Sequence, residues 1–236
     1  MIAISQPTFF PWIGYFDIID QVDKFVILDD VDFSKQSWHQ RNKFKTTNDL
    51  KWFTVPVKSL SNQKLNKVEI VNPERLSIKF KKFIETNYIK SNFYKSYSDD
   101  IFEIFSRSAV ENGLVNLNIN IINFFLKILK IETEIKLASE LNIKKKRSEK
   151  IIEICKLFND QEYLSSSGAK IYLEEDKNVF IDKKINVFLH NYNHPIYRQL
   201  YPPFKSYACI LDLVFNEGEN SLKIIRNGRN KNFTLY

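Results

Sequence analysis

Three carboxylates fall within four positions of the stretch Leu28-Asp29-Asp30-Val31-Asp32-Phe33-Ser34-Lys35-Gln36-Ser37-Trp38-His39-Gln40-Arg41-Asn42. Charges this close repel one another unless a metal, a cation or a proton neutralises them. Asp29 and Asp30 directly follow the apolar run Phe25-Val26-Ile27-Leu28. Either is therefore a candidate general base or cation ligand at the point where a strand empties into a loop. His39 is the candidate acid/base imidazole, although a single histidine more often only hydrogen bonds within a structure. Lys35 and Arg41 suit phosphate or carboxylate, the guanidinium through its bidentate fork. Ser37 and Asn42 complete the polar set, and Trp38 offers a stacking face. A purely structural loop rarely needs this density of polar groups.

A second stretch precedes it: Gln6-Pro7-Thr8-Phe9-Phe10-Pro11-Trp12-Ile13-Gly14-Tyr15-Phe16-Asp17. Two prolines and a glycine bracket its aromatic residues, making a stiff loop after a first short strand, where open α/β sheets place ligands. Gln6 and Trp12 are its candidate substrate contacts; a packed aromatic loop is the plainer reading. A third stretch runs from His194 through Tyr197 and Gln199 to Asp212 and Asn216. Asp212 lies among Ile210, Leu211, Leu213, Val214 and Phe215, and a carboxylate there needs a committed partner. That partner could be a cap, Arg41 or Arg198, or a substrate, with Gln199 supporting it. His190 and His194 are four apart, but Asn-Tyr-Asn between them and the following proline argue against a helical zinc pair, so no metal site is expected. Ser165-Ser166-Ser167-Gly168 resembles a small anion-cradling turn, a weak signal.

The elements that must hold these residues read as α/β. Met1–Ile4, Phe25–Leu28, Trp52–Val57, Lys67–Val71, Glu134–Ala138, Glu162–Leu164 and Val187–Leu189 have strand character. Gly14–Val22, Ser148–Phe158 (with Ser148 as candidate N-cap), Ala169–Leu173 and Ile210–Phe215 read as helices, and the pattern is helical from Pro73 to Ile131, broken by a C-cap at Gly113. The expected architecture is a mostly parallel sheet flanked by helices with a helical middle segment. It divides into an N-terminal α/β half (1–72), the helical segment (73–131), a C-terminal α/β half packing on the first (132–225) and a loose tail (226–236), together one compact domain.

Composition bounds the rest. The 236 residues are 44% hydrophobic and 27% charged, which excludes wholesale disorder. No apolar stretch approaches the ~18 residues of a membrane span, and the first residues lack a signal-peptide pattern, so a cytoplasmic protein is expected. Cys155 and Cys209 sit in apolar runs and read as core thiols. The net charge of +7 invites an anionic partner. Lys144-Lys145-Lys146-Arg147 is either a solvated loop or a phosphate contact. Nucleic acid is not expected, because no helix-turn-helix, zinc-finger or RNP signature accompanies the charge. Rossmann, P-loop, nucleophile-elbow and kinase motifs are absent.

The same stretches carry a family resemblance. Gln6-Pro7, Pro11 to Asp17, Phe25 to Phe33, Ser37-Trp38 and Arg41-Asn42 resemble the opening of WbqC-like proteins. Tyr163-Leu164-Ser165, Gly168, Tyr172-Leu173, His194-Pro195, Tyr197, Gln199, Leu211-Asp212, Phe215-Asn216 and Gly218 are similar to their second half. One departure stands out: the family usually has a histidine directly before Gln-Pro, and this chain has Ser5. The resemblance implies a role in bacterial surface polysaccharide (O-antigen) biosynthesis. It implies acyl or aminoacyl transfer, for example of glycine, to the amine of a nucleotide-linked amino sugar, alongside other enzymes of that assembly. The donor is not identified; ATP-dependent activation or another activated acyl donor would serve. A faint likeness to nucleotidyltransferase-type folds lacks their H-x-G-H element. A non-catalytic sugar-nucleotide-binding or scaffold protein is the alternative.

Overall fold

The computed structural model describes residues 1–236 apart from 59 and 61, and at 112 the backbone only. The chain runs β1 (Ile2–Ser5), α1 (Ile13–Asp20) and β2 (Lys24–Ile27), then a hairpin of β3 (Arg41–Lys45) and β4 (Leu50–Thr54), and a short pair, β5 (Val57–Lys58) and β6 (Glu69–Ile70). Helices α2 (Pro73–Tyr88) and α3 (Tyr94–Leu129) follow. The chain then continues as β7 (Glu134–Leu137), α4 (Arg147–Leu157), β8 (Glu162–Ser165), α5 (Lys170–Glu175), α6 (Lys177–Asp182), β9 (Asn186–Leu189), α7 (Ile210–Glu217), α8 (Ser221–Asn227) and β10 (Phe233–Thr234).

Six strands form one sheet in the order β10-β9-β8-β1-β2-β7, parallel except for β10. The strands alternate their apolar side chains between two helical layers. Ala3, Phe25, Ile27 and Leu164 face a cluster shared with α1, α2, α3 and α7. Ile2, Ile4, Val26, Tyr163, Val187 and Leu189 face a second cluster with α4, α5 and α6. From β1 the chain moves outward through β2 to β7, then returns to lay β8 on the other side of β1. The strand order therefore reverses between β1 and β8. Among the described residues no helix is long and apolar enough to cross a membrane.

An aromatic cluster joins the hairpin to the helical layer. Phe9, Phe10, Phe44, Phe53, Phe80 and Phe105 are all buried, and Phe80 stacks on Phe105 with centroids 3.9 Å apart. Each such ring contributes about 2–3 kcal/mol through burial. Helix α1 is buried from Ile13 to Ile19, so it is a core helix, not an amphipathic surface one.

Four expectations are revised. The polar stretch after β2 does not stay a loop: from Arg41 it is strand β3, paired Arg41↔Thr54 to Lys45↔Leu50. Trp52–Val57 is not one strand, since Pro56 separates β4 from β5. Ser148 is not an N-cap: it lies inside α4, buried, with its hydroxyl 2.5 Å from Asp176 Oδ2. The segment after residue 225 is not loose. Arg226 and Arg229 hold Asp20, and Phe233-Thr234 extend the sheet.

Helix α3 bends sharply at Gly113, whose φ is +83°. The Asn120 amide donates to Ser108 Oγ at 2.8 Å, whereas twelve residues along a straight helix would separate them by about 18 Å. The freed Leu114 N–H donates to the Val68 carbonyl at 3.0 Å. A β-carbon on Gly113 would stand 2.5 Å from that same oxygen. Gly113→Ala should therefore lower unfolding stability by at least ~2 kcal/mol, through left-handed strain plus the backbone clash. Urea denaturation measures this, and a loss under half that size would show that the bend tolerates a side chain.

Candidate functional site

A cleft of about 340 Å³ opens at the carboxyl ends of β1 and β8, where the strand order reverses. Ligands of open α/β sheets bind at such reversals because adjacent connections leave on opposite faces and part there. One wall carries Ser5, Gln6, Ser37, Trp38 and His39; the other carries Tyr163, Ser165, Ser166 and Tyr172.

His39 is buried and tightly placed. Its Nε2 lies 2.8 Å from Gln6 Oε1, and the Asn118 amide on α3 donates to its carbonyl at 2.8 Å. With Gln6 offering an oxygen, Nε2 carries the proton and Nδ1 is left as a lone-pair acceptor. Nδ1 is buried and has no hydrogen-bond partner among the described residues. Burial pushes the imidazole down to about 4, so it is neutral at physiological pH. Gln6 is itself held by its carbonyl, which accepts from the Tyr15 hydroxyl at 3.2 Å.

The loop after β1 is fixed by Asn42. Its buried amide donates to the carbonyls of Phe9 (3.0 Å) and Phe10 (2.7 Å), with Phe10 at φ +43°. Asn42, a predicted substrate contact, is thus committed to the scaffold. On the hairpin's outer face Trp38 lies 5.1 Å from Trp52, and the Arg41 guanidinium stands 4.4 Å above Trp52. Lys35 is exposed in the loop between β2 and β3.

The three acids do not converge. The Ser139 N–H donates to Asp29, Lys150 binds Asp30 at 2.5 and 2.6 Å, and exposed Asp32 pairs with Lys64 at 2.7 Å. Each charge has its own partner at the end of β2, beside the cleft and not in its lining. Among the described residues no group of three or more His, Cys, Asp or Glu could hold a metal ion. Trp12 does not line the cleft either: its ring lies across Gly14 and packs on Tyr192, His194 and Tyr207.

Tyr197, Gln199, Asp212 and Asn216 do come together, in a separate buried cluster. The Tyr197 hydroxyl and the Gln199 amide donate to Asp212 Oδ2 at 2.8 and 2.9 Å, and the Asn216 amide donates to the Asp212 carbonyl. Gln199 also clamps Lys205 through both its amide atoms. Asp212 Oδ1 has no hydrogen-bond partner among the described residues. Burial outweighs these donors and raises the carboxyl to about 6.

Sequence reasoning missed a second buried network. Asp17 Oδ2 lies 2.7 Å from His190 Nε2, its Oδ1 accepts from Arg229 at 2.9 Å, and Arg229 and Arg226 share Asp20. Asp17 on an otherwise apolar helix was the available signal. Ser165, Ser166 and Gly168 of the weakly signalled anion-cradling turn line the far wall of the cleft with Tyr172, which only the family motif had marked.

The family model described as the WbqC-like protein family matches residues 6–224. The chain belongs to that family. The matched span covers both cleft walls except the β1 residues Ile4 and Ser5, covers the Asp212 cluster, and stops before Arg226, Arg229 and β10. This WbqC-like chain is 31% identical over 228 residues to the uncharacterized protein Rv1507c of Mycobacterium tuberculosis, covering 95% of this chain and 97% of that one. No solved structure matches.

The Asp212 environment sets a pH dependence. A carboxyl raised in the fold favours folding while protonated and loses that contribution as pH rises through its folded value. Between pH ~4 and ~7, native stability should therefore fall by about 2–3 kcal/mol relative to Asp212→Asn. Denaturation of both proteins across that range checks the difference; a constant difference would mean that Asp212 titrates normally.

Proposed function

We propose that this WbqC-like protein acylates or aminoacylates, for example with glycine, the amine of a nucleotide-linked amino sugar in bacterial surface polysaccharide biosynthesis. The observation that carries the reading is His39: a neutral imidazole in the cleft at the strand-order reversal, its tautomer set by Gln6 and its Nδ1 without a partner. In the proposed reaction the sugar nitrogen attacks the acyl carbonyl of an activated donor and a new N–C bond forms. The donor's leaving group departs with its electron pair, and Nδ1, buried in the free protein, accepts the proton released from nitrogen once a turn of the ring brings it to the substrate. Ser5, where the family usually has a histidine, lines the same cleft, so His39 can supply the imidazole there. Asp29 and Asp30 support the cleft from the end of β2, and Lys35 remains a candidate contact for the anionic part of the substrate.

A non-catalytic sugar-nucleotide-binding protein is the second reading. It is favoured by the separate neutralisation of Asp29, Asp30 and Asp32, which leaves no acid committed to chemistry.

Mass spectrometry of the surface polysaccharide repeat, with the gene deleted and then restored as wild type or as His39→Ala, separates the two. A transferase predicts loss of one small substituent on deletion, restored by wild type and held below about one part in a hundred by His39→Ala. A repeat unchanged by deletion would overturn the decoration reading, and full restoration by His39→Ala would favour the binding protein.

A further inference from the structure

The cleft is at the small end of the range for ligand pockets. A nucleotide-linked substrate seated there can continue over the rim, and one rim carries aromatic rings and cations together. Trp38 belongs both to the cleft wall and to the outer face of the hairpin, and is 51% exposed. Trp52, 43% exposed, lies beside it with the two rings inclined at 42°.

The two exposed rings adjoin, so they make one aromatic patch and not two scattered apolar residues. Arg41 and Lys43 hold their charges 4.4 and 5.2 Å from the Trp52 ring centre. Neither makes an ion pair with any described acid. The Arg41 Nε is buried and has no hydrogen-bond partner among the described residues. The patch is thus aromatic, cationic, and short of acceptors.

We infer that Trp38, Trp52, Arg41 and Lys43 form the seat of the nucleoside diphosphate, with the base on the open face of Trp38 and the two cations serving the diphosphate. The inference rests on the proposed nucleotide-linked substrate and says where its nucleotide lies. A neutral sugar alone would use the aromatic face but has no need of the cations. A nucleic-acid strand would need successive platforms along a basic groove, whereas this single platform stops at the cleft.

Calorimetric titration of the full chain with uridine and adenosine diphosphates tests this, with inorganic pyrophosphate and a short single-stranded oligouridylate as comparison ligands. Quenching of tryptophan fluorescence gives a second readout, because two of the three tryptophans are in the patch. The expected result is saturable nucleoside diphosphate binding with quenching, weakened about fivefold or more by Trp52→Ala and by Lys43→Ala. Both side chains are solvent-facing, so circular dichroism should show folded variants. Pyrophosphate should bind more weakly and without quenching.

No heat or quenching with either diphosphate up to about 10 mM would overturn the inference. So would binding that both variants leave unchanged, or tighter, steeply salt-dependent binding of the oligonucleotide. The outcomes separate from those for the proposed function. Variant-sensitive diphosphate binding with a repeat unchanged by gene deletion would keep the platform and remove the transferase. Substituent loss on deletion, with variant-insensitive binding, would do the reverse.

Discussion

Two hydrogen bonds from the Asn42 amide to the carbonyls of Phe9 and Phe10 tie the loop after β1 to the first strand of the hairpin. Phe10 occupies the left-handed region, which a bulky side chain adopts only under surrounding constraint. The constraint comes from both sides: the amide holds the backbone, and the aromatic cluster of Phe44, Phe80, Phe105 and Phe125 holds the ring. With that corner fixed, Gln6 emerges from β1 at hydrogen-bond distance from His39. The Phe9 N–H, donating to the Trp38 carbonyl at 2.8 Å, brings Trp38 to the cleft edge.

Electrostatics in this protein is largely local pairing. Asp30 has Lys150, Asp32 has Lys64, and Asp20 has two arginines from beyond α7. A buried carboxylate costs free energy unless it is paired or hydrogen bonded, and most here are so satisfied. Buried polar atoms without a partner among the described residues include His39 Nδ1, Arg41 Nε and Asp212 Oδ1. His39 lines the cleft although its Nδ1 is itself buried, and Asp212 stands on α7 in the core. The donors to Asp212, Tyr197 and Gln199, fasten the loop before α7.

The chain's basic charge has no single seat. Lys144, Lys145 and Lys146 are exposed ahead of α4, with Lys145 paired to Glu149 at 3.3 Å. The cations near the cleft are instead Arg41 and Lys43, set on one face of a hairpin by strand alternation. Their position over Trp52 makes the rim both apolar and positive, a combination that charge arithmetic alone does not reveal.

Local sequence was enough for the parallel sheet, the buried strand Phe25–Leu28, the helical middle and the loop after β1, because periodicity, glycine and proline act over a few residues. Gly113, expected as a C-cap, instead bends one continuous helix capped at Lys130. Local sequence also marked His39, Trp38 and Arg41 as chemically suggestive, and the WbqC-like motifs as a set. What it could not determine was which polar groups meet. Asp29, Asp30 and Asp32 are neighbours along the chain yet take three separate partners up to 120 residues away. Asp17 and His190 are 173 residues apart and share a hydrogen bond. The hairpin strand β3 was hidden because its outward residues are charged, and its pairing with β4 is a tertiary choice set by the phenylalanines beneath it. Spacing along the chain reports local geometry, whereas pairing of charges and burial of rings depend on which segments the fold packs together.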